Sequence, residues 1–123
     1  MQKQPSNEPI LHIISRDDWE RARIGTDYRG DTLDTEGFIH CSTRDQIAKT
    51  ANRFYPGRTD LLLLCIDPGR VTAEIRYEPA ENHERFPHIY GPLNLEAVER
   101  TIAFEPDQDG LFSTPPQLGE FFQ

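Results

Sequence analysis

Three histidines in this chain sit where an imidazole needs a reason. His12 lies in Ile10-Leu11-His12-Ile13-Ile14, His40 in Phe38-Ile39-His40-Cys41-Ser42, and His88 in Phe86-Pro87-His88-Ile89-Tyr90-Gly91-Pro92. A ring buried among apolar neighbours is costly unless its nitrogens are paired, so each of these is either a satisfied structural histidine or part of a site. Side chains alternate along a strand, which puts His40 on one face with Phe38 and Ser42 while Ile39 and Cys41 point the other way. If Thr43 opens a helix directly afterwards, its free backbone N–H groups make the end of the strand a place for an anion or phosphate. His88 and Tyr90 share an alternating register inside a segment stiffened by Pro87 and Pro92, and rigid presentation lowers the entropy cost of binding. The candidate catalytic residues are therefore His12, His40 and His88, and the candidate ligand contacts on this reading are Ser42, Thr43 and Tyr90.

Other chemistries are less well served. No two histidines stand three to five residues apart on a helix or alternate on one strand, so no metal is expected, and zinc would require His12, His40, His83 and His88 to be gathered across the fold. There is no Gly-rich phosphate loop, Gly-x-Ser-x-Gly elbow or His-Glu-x-x-His sequence. Cys41 and Cys65 lie in apolar stretches without the paired spacing of a metal or redox motif, and read as small buried thiols of a reducing, cytoplasmic compartment. Positive charge is almost entirely guanidinium, the only lysines being Lys3 and Lys49. The planar fork of arginine suits carboxylates and phosphates, although surface ion pairing is the ordinary use of any one such residue.

The elements that must position these groups can be sketched from patterning. Residues 10–14 are a β-branched strand, and Ser15 stands three before Asp18 as a weak helix-start signal. A helix with Trp19 and Ala22 on one face follows, ending by Gly25. The polar connection 26–36 reads as a long loop, a candidate lid. Residues 38–42 form a second strand, and Thr43-Arg44-Asp45-Gln46 matches a capping box ahead of an apolar stripe of Ile47, Ala51 and Phe54. The unbroken apolar run at 61–66 suits a central strand buried on both faces. Pro68-Gly69 is a turn, residues 71–77 the partner strand of that run, residues 86–92 an extended or turning segment, residues 95–98 one helical turn, and residues 101–104 a last strand. The sum is an α+β fold with two early helices.

Length and composition fit one such domain. The 123 residues carry 13 basic and 21 acidic side chains for a net charge of −8, with 36% hydrophobic and 10% aromatic residues. One domain at 10–105 is expected, with a disordered N-terminal tail at 1–9 and a C-terminal tail at 106–123. The latter's Leu111, Phe112, Leu118, Phe121 and Phe122 could dock on the body. The acidic balance argues against nucleic-acid binding, and the longest apolar run is too short to cross a membrane.

Taken together, Gly37-Phe38-Ile39-His40-Cys41-Ser42-Thr43 with Gln46, the earlier Trp19, Ala22, Gly25 and Tyr28, and the run from Phe86 to Leu93 resemble the small bacterial proteins grouped as domain of unknown function 952. The resemblance spans residues 10–104. That family is in turn similar to the ADP-ribosyltransferase fold, in the branch of the tRNA 2′-phosphotransferase, where NAD lies in the cleft of a split β-sheet. The resemblance implies that His12 contacts a ribose on the adenosine side and that His40, with Ser42, faces the nicotinamide half. Either Arg53 or Arg76 would meet the pyrophosphate, and Glu78 is the candidate for the glutamate of protein-modifying members. Ile13, Ile14 and Ser15 follow His12 where the relatives have glycine and threonine.

Three functions are thus in play. The first is a transferase of ADP-ribosyl or 2′-phosphoryl type with NAD or a nucleotide as substrate, working from a two-histidine pocket. The second is a non-catalytic binding module for a small nucleotide or anionic metabolite, and the third a metal-dependent hydrolase. The expected partner is a small nucleotide ligand, with no membrane and no nucleic acid, and the expected state is a monomer or small homo-oligomer.

Overall fold

The computed structural model describes residues 8–80 and 83–118. Most of the expected N-terminal tail, the middle of the charged connection before Phe86, and Phe121 and Phe122 lie outside the described residues.

The chain folds as an α+β domain whose strands form two three-stranded antiparallel sheets and a small ribbon. β1 (Ile10–Ser15) and β8 (Val98–Phe104) flank β4 (Leu61–Ile66) in the first sheet. In the second, β3 (Ile39–His40) and β5 (Glu74–Pro79) flank β6 (Arg85–Tyr90). β2 (Asp27–Tyr28) pairs with β7 (Leu93–Asn94). The backbones of the two larger sheets are bridged where Leu11 of β1 and Ser42 exchange two hydrogen bonds of 2.8 Å each.

Burial explains the layering. All six residues of β4 are buried, as expected of a run with no polar member, so this strand must be covered on both faces. Leu62, Leu64 and Ile66 join Ile10 and Ile14 in a core shared with Ile39, Ile89 and Leu93, which is the side facing the second sheet. Leu61, Leu63 and Cys65 join Leu11 and Ile13 in a second core, closed by Ile47 and Ala51 of α3 (Ile47–Phe54) and by Phe112 and Leu118. Each such side chain removed from water contributes roughly 1.5 to 3 kcal/mol. The C-terminal segment is tied down by polar contacts as well, since Asn52 accepts from the Phe112 N–H at 2.8 Å and donates to its carbonyl at 3.1 Å.

Several expectations need correction. The helix does not begin at Thr43. Residues 44–46 form a turn and α3 starts at Ile47. Only the glutamine half of the capping box is made, the Thr43 N–H donating to Gln46 Oε1 at 2.9 Å, because Ser42 is still engaged in extended pairing with Leu11 and holds the chain out of helical geometry. Among the described residues the early half of the chain holds three α-helices where two were expected. Beside α1 (Arg16–Ala22), capped by Ser15 accepting from the Asp18 N–H, the supposed loop 26–36 contains both β2 and α2 (Leu33–Glu36). Residues 74–79 pair with β6 and not with β4, whose two neighbours are β1 and β8. The turn expected at Pro68-Gly69 is present, in 3-10 form.

Candidate functional site

The second sheet has one apolar and one polar face, and the polar face carries the chemistry. Along β6, Pro87 and Ile89 are buried while Phe86, His88 and Tyr90 alternate outward, and Ile39 packs inward beside an exposed His40. His40 stands directly opposite His88 in the register of β3 and β6. The Cys41 N–H bonds to the Pro87 carbonyl, so the hydrogen-bonded pairs flank these two residues and His40 and His88 form a non-hydrogen-bonded pair. In such pairs the side chains approach most closely, and the two rings lie 5.2 Å apart between centroids, edge to face. Phe38 packs over both, 4.1 Å from His88 in a stacked arrangement and 4.7 Å from His40.

A carboxylate engages each ring through a different nitrogen. His88 donates from Nδ1 to Glu78 Oε1 at 2.7 Å, and His40 donates from Nε2 to Glu36 Oε1 at 3.0 Å. A carboxylate accepts only, so the donating nitrogen of each ring carries the proton. Glu78 also accepts from the Tyr90 hydroxyl at 2.5 Å. The Tyr90 hydroxyl, and after it His88, hold the Glu78 carboxyl below the usual glutamate range, while the same carboxylate raises the Tyr90 phenol. The Arg76 guanidinium sits 4.3 Å from the Tyr90 ring centroid and pairs with Glu74, which raises its own pKa.

His12 approaches the same strand from behind. It shares a face of β1 with Ile10 and Ile14, directed toward the second sheet, and donates from Nδ1 to the His40 carbonyl at 2.6 Å. That carbonyl is available because the backbone groups of a non-hydrogen-bonded residue point away from the paired strand. The other nitrogen, Nε2, accepts from the Tyr28 hydroxyl at 2.8 Å. Burial holds the imidazole down to about 4, so it is neutral, and burial together with Asp31 pushes the Tyr28 phenol up. Tyr28 lines an open pocket of about 260 Å³ between α1 and β2, bounded by Asp18, Arg21, Asp27, Arg29 and Asp31.

Of the residues singled out in the sequence, His40, His88, Tyr90, Arg76 and Glu78 come together. The His12 ring reaches only the backbone of that group. Ser42 is buried and donates to Thr50 on α3 at 3.3 Å, Thr43 lies in the turn before α3, and Arg53 stands in the last turn of α3 with its guanidinium 5.1 Å from the Phe54 ring. Both thiols are free and buried. Burial raises Cys41 far above its ordinary value and pushes Cys65 up to about 11. Among the described residues no group of three His, Cys, Asp or Glu side chains is placed to hold a metal ion.

Sequence reading passed over Glu36, Phe38 and Tyr28 as site members. Glu36 lies four residues before His40, a spacing that carries meaning only if a tight turn intervenes, and Gly37 at φ 93° supplies that turn. Phe38 shares the alternating face of His40, and that was the available signal.

This arrangement belongs to a chain whose residues 13–101 match the pattern of a family described as protein of unknown function (DUF952). The chain belongs to the DUF952 family. Two crystal structures of CC0527 from Caulobacter crescentus, one of them a double mutant, are each 31% identical to this DUF952 member, with a TM-score of 0.78 over 92% of this chain and 96% of that one. A solution structure of CC0527 is 32% identical at a TM-score of 0.74, covering 93% and 96%. No curated protein matches. Among the described residues, no helix is long and apolar enough to cross a membrane.

Proposed function

We propose that this DUF952 protein is a nucleotide-dependent transferase of ADP-ribosyl or 2′-phosphoryl transfer type, with NAD as the candidate substrate and the His40–His88 face as its site. The observation that carries this reading is the pair itself. Two imidazoles on adjacent strands each have one nitrogen engaged by a carboxylate and the other without a described protein partner. Groups steered in this way are suited to holding hydroxyls and moving protons. Arg76 and Tyr90 border the pair and supply a guanidinium for phosphate and a flat surface for a ring or ribose. Two antiparallel sheets linked by a backbone bridge at Leu11 and Ser42 are compatible with the split sheet of the ADP-ribosyltransferase fold.

A second reading, a binding module for a small nucleotide or anionic metabolite without turnover, is favoured by His12. Both its ring nitrogens are spent on Tyr28 and the His40 carbonyl, so it has none left for a ribose unless those bonds open.

Thermal shift with NAD and ADP-ribose tests both readings. A rise in melting temperature that His40→Ala removes is expected under either, and release of nicotinamide separates the enzyme from the binder. No shift with either ligand would overturn both.

A further inference from the structure

The two carboxylates do more than anchor their histidines, because they leave non-equivalent nitrogens free. Glu78 fixes the proton of His88 on Nδ1, so Nε2 carries the lone pair. Glu36 fixes the proton of His40 on Nε2, so its Nδ1 carries the lone pair in the neutral ring and is where a second proton would sit. The rings are neighbours at 5.2 Å, and Phe38 packs on both. The carboxylates come from different elements, Glu36 from the end of α2 and Glu78 from β5, two residues along from Arg76, the register partner of His88. The other charged or titratable groups on this face are Arg76 and Glu74 on β5 and Tyr90 on β6, with His12 behind the His40 carbonyl.

The geometry points to an acid–base couple for a substrate hydroxyl, in which His88 Nε2 is the base, His40 Nδ1 the acid, and Glu78 and Glu36 are positioning residues. This deepens the transferase reading and rests on it for the choice of reaction. In the step, the O–H bond of an acceptor hydroxyl breaks, its proton passing to His88 Nε2 and its electron pair staying on oxygen, which bonds to the transferred phosphoryl or glycosyl centre. The bond from that centre to the leaving atom breaks, and that atom keeps the electron pair. A leaving oxygen takes the proton from Nδ1 of a His40 imidazolium, and return of one proton from His88 to His40 through solvent restores the pair; the nicotinamide ring nitrogen leaves neutral and takes none, and the His88 proton then passes to solvent. A carboxylate behind each ring stabilises its imidazolium form at the stage when that form is required.

Nitrogen-15 NMR of the imidazoles tests the couple in the ligand-free full chain. At a pH where both rings are neutral, the expected spectrum has His88 as a single Nδ1–H tautomer and His40 as a single Nε2–H tautomer, the latter taking its second proton on Nδ1 when it becomes the acid. Glu78→Ala should abolish the single tautomer at His88 and leave His12 as Nδ1–H, which reports that the fold is intact. Glu36→Ala, at an exposed position, should do the same at His40. Diethylpyrocarbonate, which acylates unprotonated imidazole nitrogen, should modify His40 and His88 and spare His12. Identical tautomers on the two rings, tautomers indifferent to both alanine variants, or failure of both rings to acylate would overturn the proposal. The expected tautomers without any nucleotide-induced thermal shift would remove the nucleotide reading and leave the couple standing, whereas a shift with the wrong tautomers would do the reverse.

Discussion

Lowering the pH should destabilise this protein through His12 before most of its carboxylates titrate. The imidazole is neutral because burial holds it near pH 4, against 6.5 for an ordinary histidine. Between those two values the unfolded chain binds a proton that the folded chain refuses, so stability rises with pH across the window and falls as the solution is acidified through it. At about 1.4 kcal/mol per pH unit the whole interval is worth roughly 3 kcal/mol, present in full above pH 6.5 and gone below pH 4. The comparison that isolates it is urea unfolding of the wild type and of His12→Leu at half-unit steps from pH 8 to pH 4. The carboxylates act on both proteins alike, and their difference curve belongs to His12. At pH 8 the variant should be less stable, by roughly 1 to 3 kcal/mol, because the His40 carbonyl and the Tyr28 hydroxyl lose a partner. The gap should then close or invert by pH 4. Parallel curves, or an NMR titration placing His12 at or above 6.5, would refute the reasoning.

Three further outcomes follow from particular contacts. Gly37→Ala should cost about 1 kcal/mol in thermal or chemical unfolding, since φ is 93° at that position and no atom lies within 4 Å to clash with a new Cβ, which leaves conformational strain as the only effect. Leu64→Ala, at a fully buried site in the central strand, should lose roughly 2 to 5 kcal/mol by the same measurement. Asn52→Ala removes both bonds to the Phe112 backbone and should cost about 1 to 3 kcal/mol, with faster limited proteolysis near residues 110–114.

The elements legible in the sequence were those whose own residues determine their burial. Leu61 to Ile66 has no polar member and could only be a strand covered on both sides, and Ser15 found the Asp18 N–H it was expected to cap. What escaped was decided by distant residues. Nothing in residues 71–77 distinguishes β4 from β6 as a partner, since the choice is made where Ile75 meets Ile89 across the second sheet. Two-residue strands such as β2 are too short for any periodicity to register. The capping motif at Thr43 was half right because Gln46 divides its amide, the oxygen serving the Thr43 N–H and the nitrogen donating to the Arg85 carbonyl on β6 at 2.7 Å. At the site, the histidines announced themselves by type and neighbours, whereas Glu78 entered only through the family resemblance and Glu36 not at all. Both are among 21 acidic residues, and it is the fold that sets each against its histidine.

One backbone fact ties these observations together. Because His40 and His88 are a non-hydrogen-bonded pair, the side chains are brought close on the outer face while the peptide groups of His40 are turned toward β1. The first consequence makes the imidazole pair, and the second gives His12 its acceptor. A shift of one residue between β3 and β6 would undo both at once, turning the His88 ring into the apolar core and withdrawing the carbonyl from His12. The register is held against such a slip by Ile39 and Ile89, both fully buried and directly opposed, and by the paired hydrogen bonds of Leu11 and Ser42 just beyond the strand end. The packing that stabilises the second sheet is therefore also what sets the distance between the two rings. Substitutions at Ile39 or Ile89 should reach the site through register, without any side chain of the site being altered.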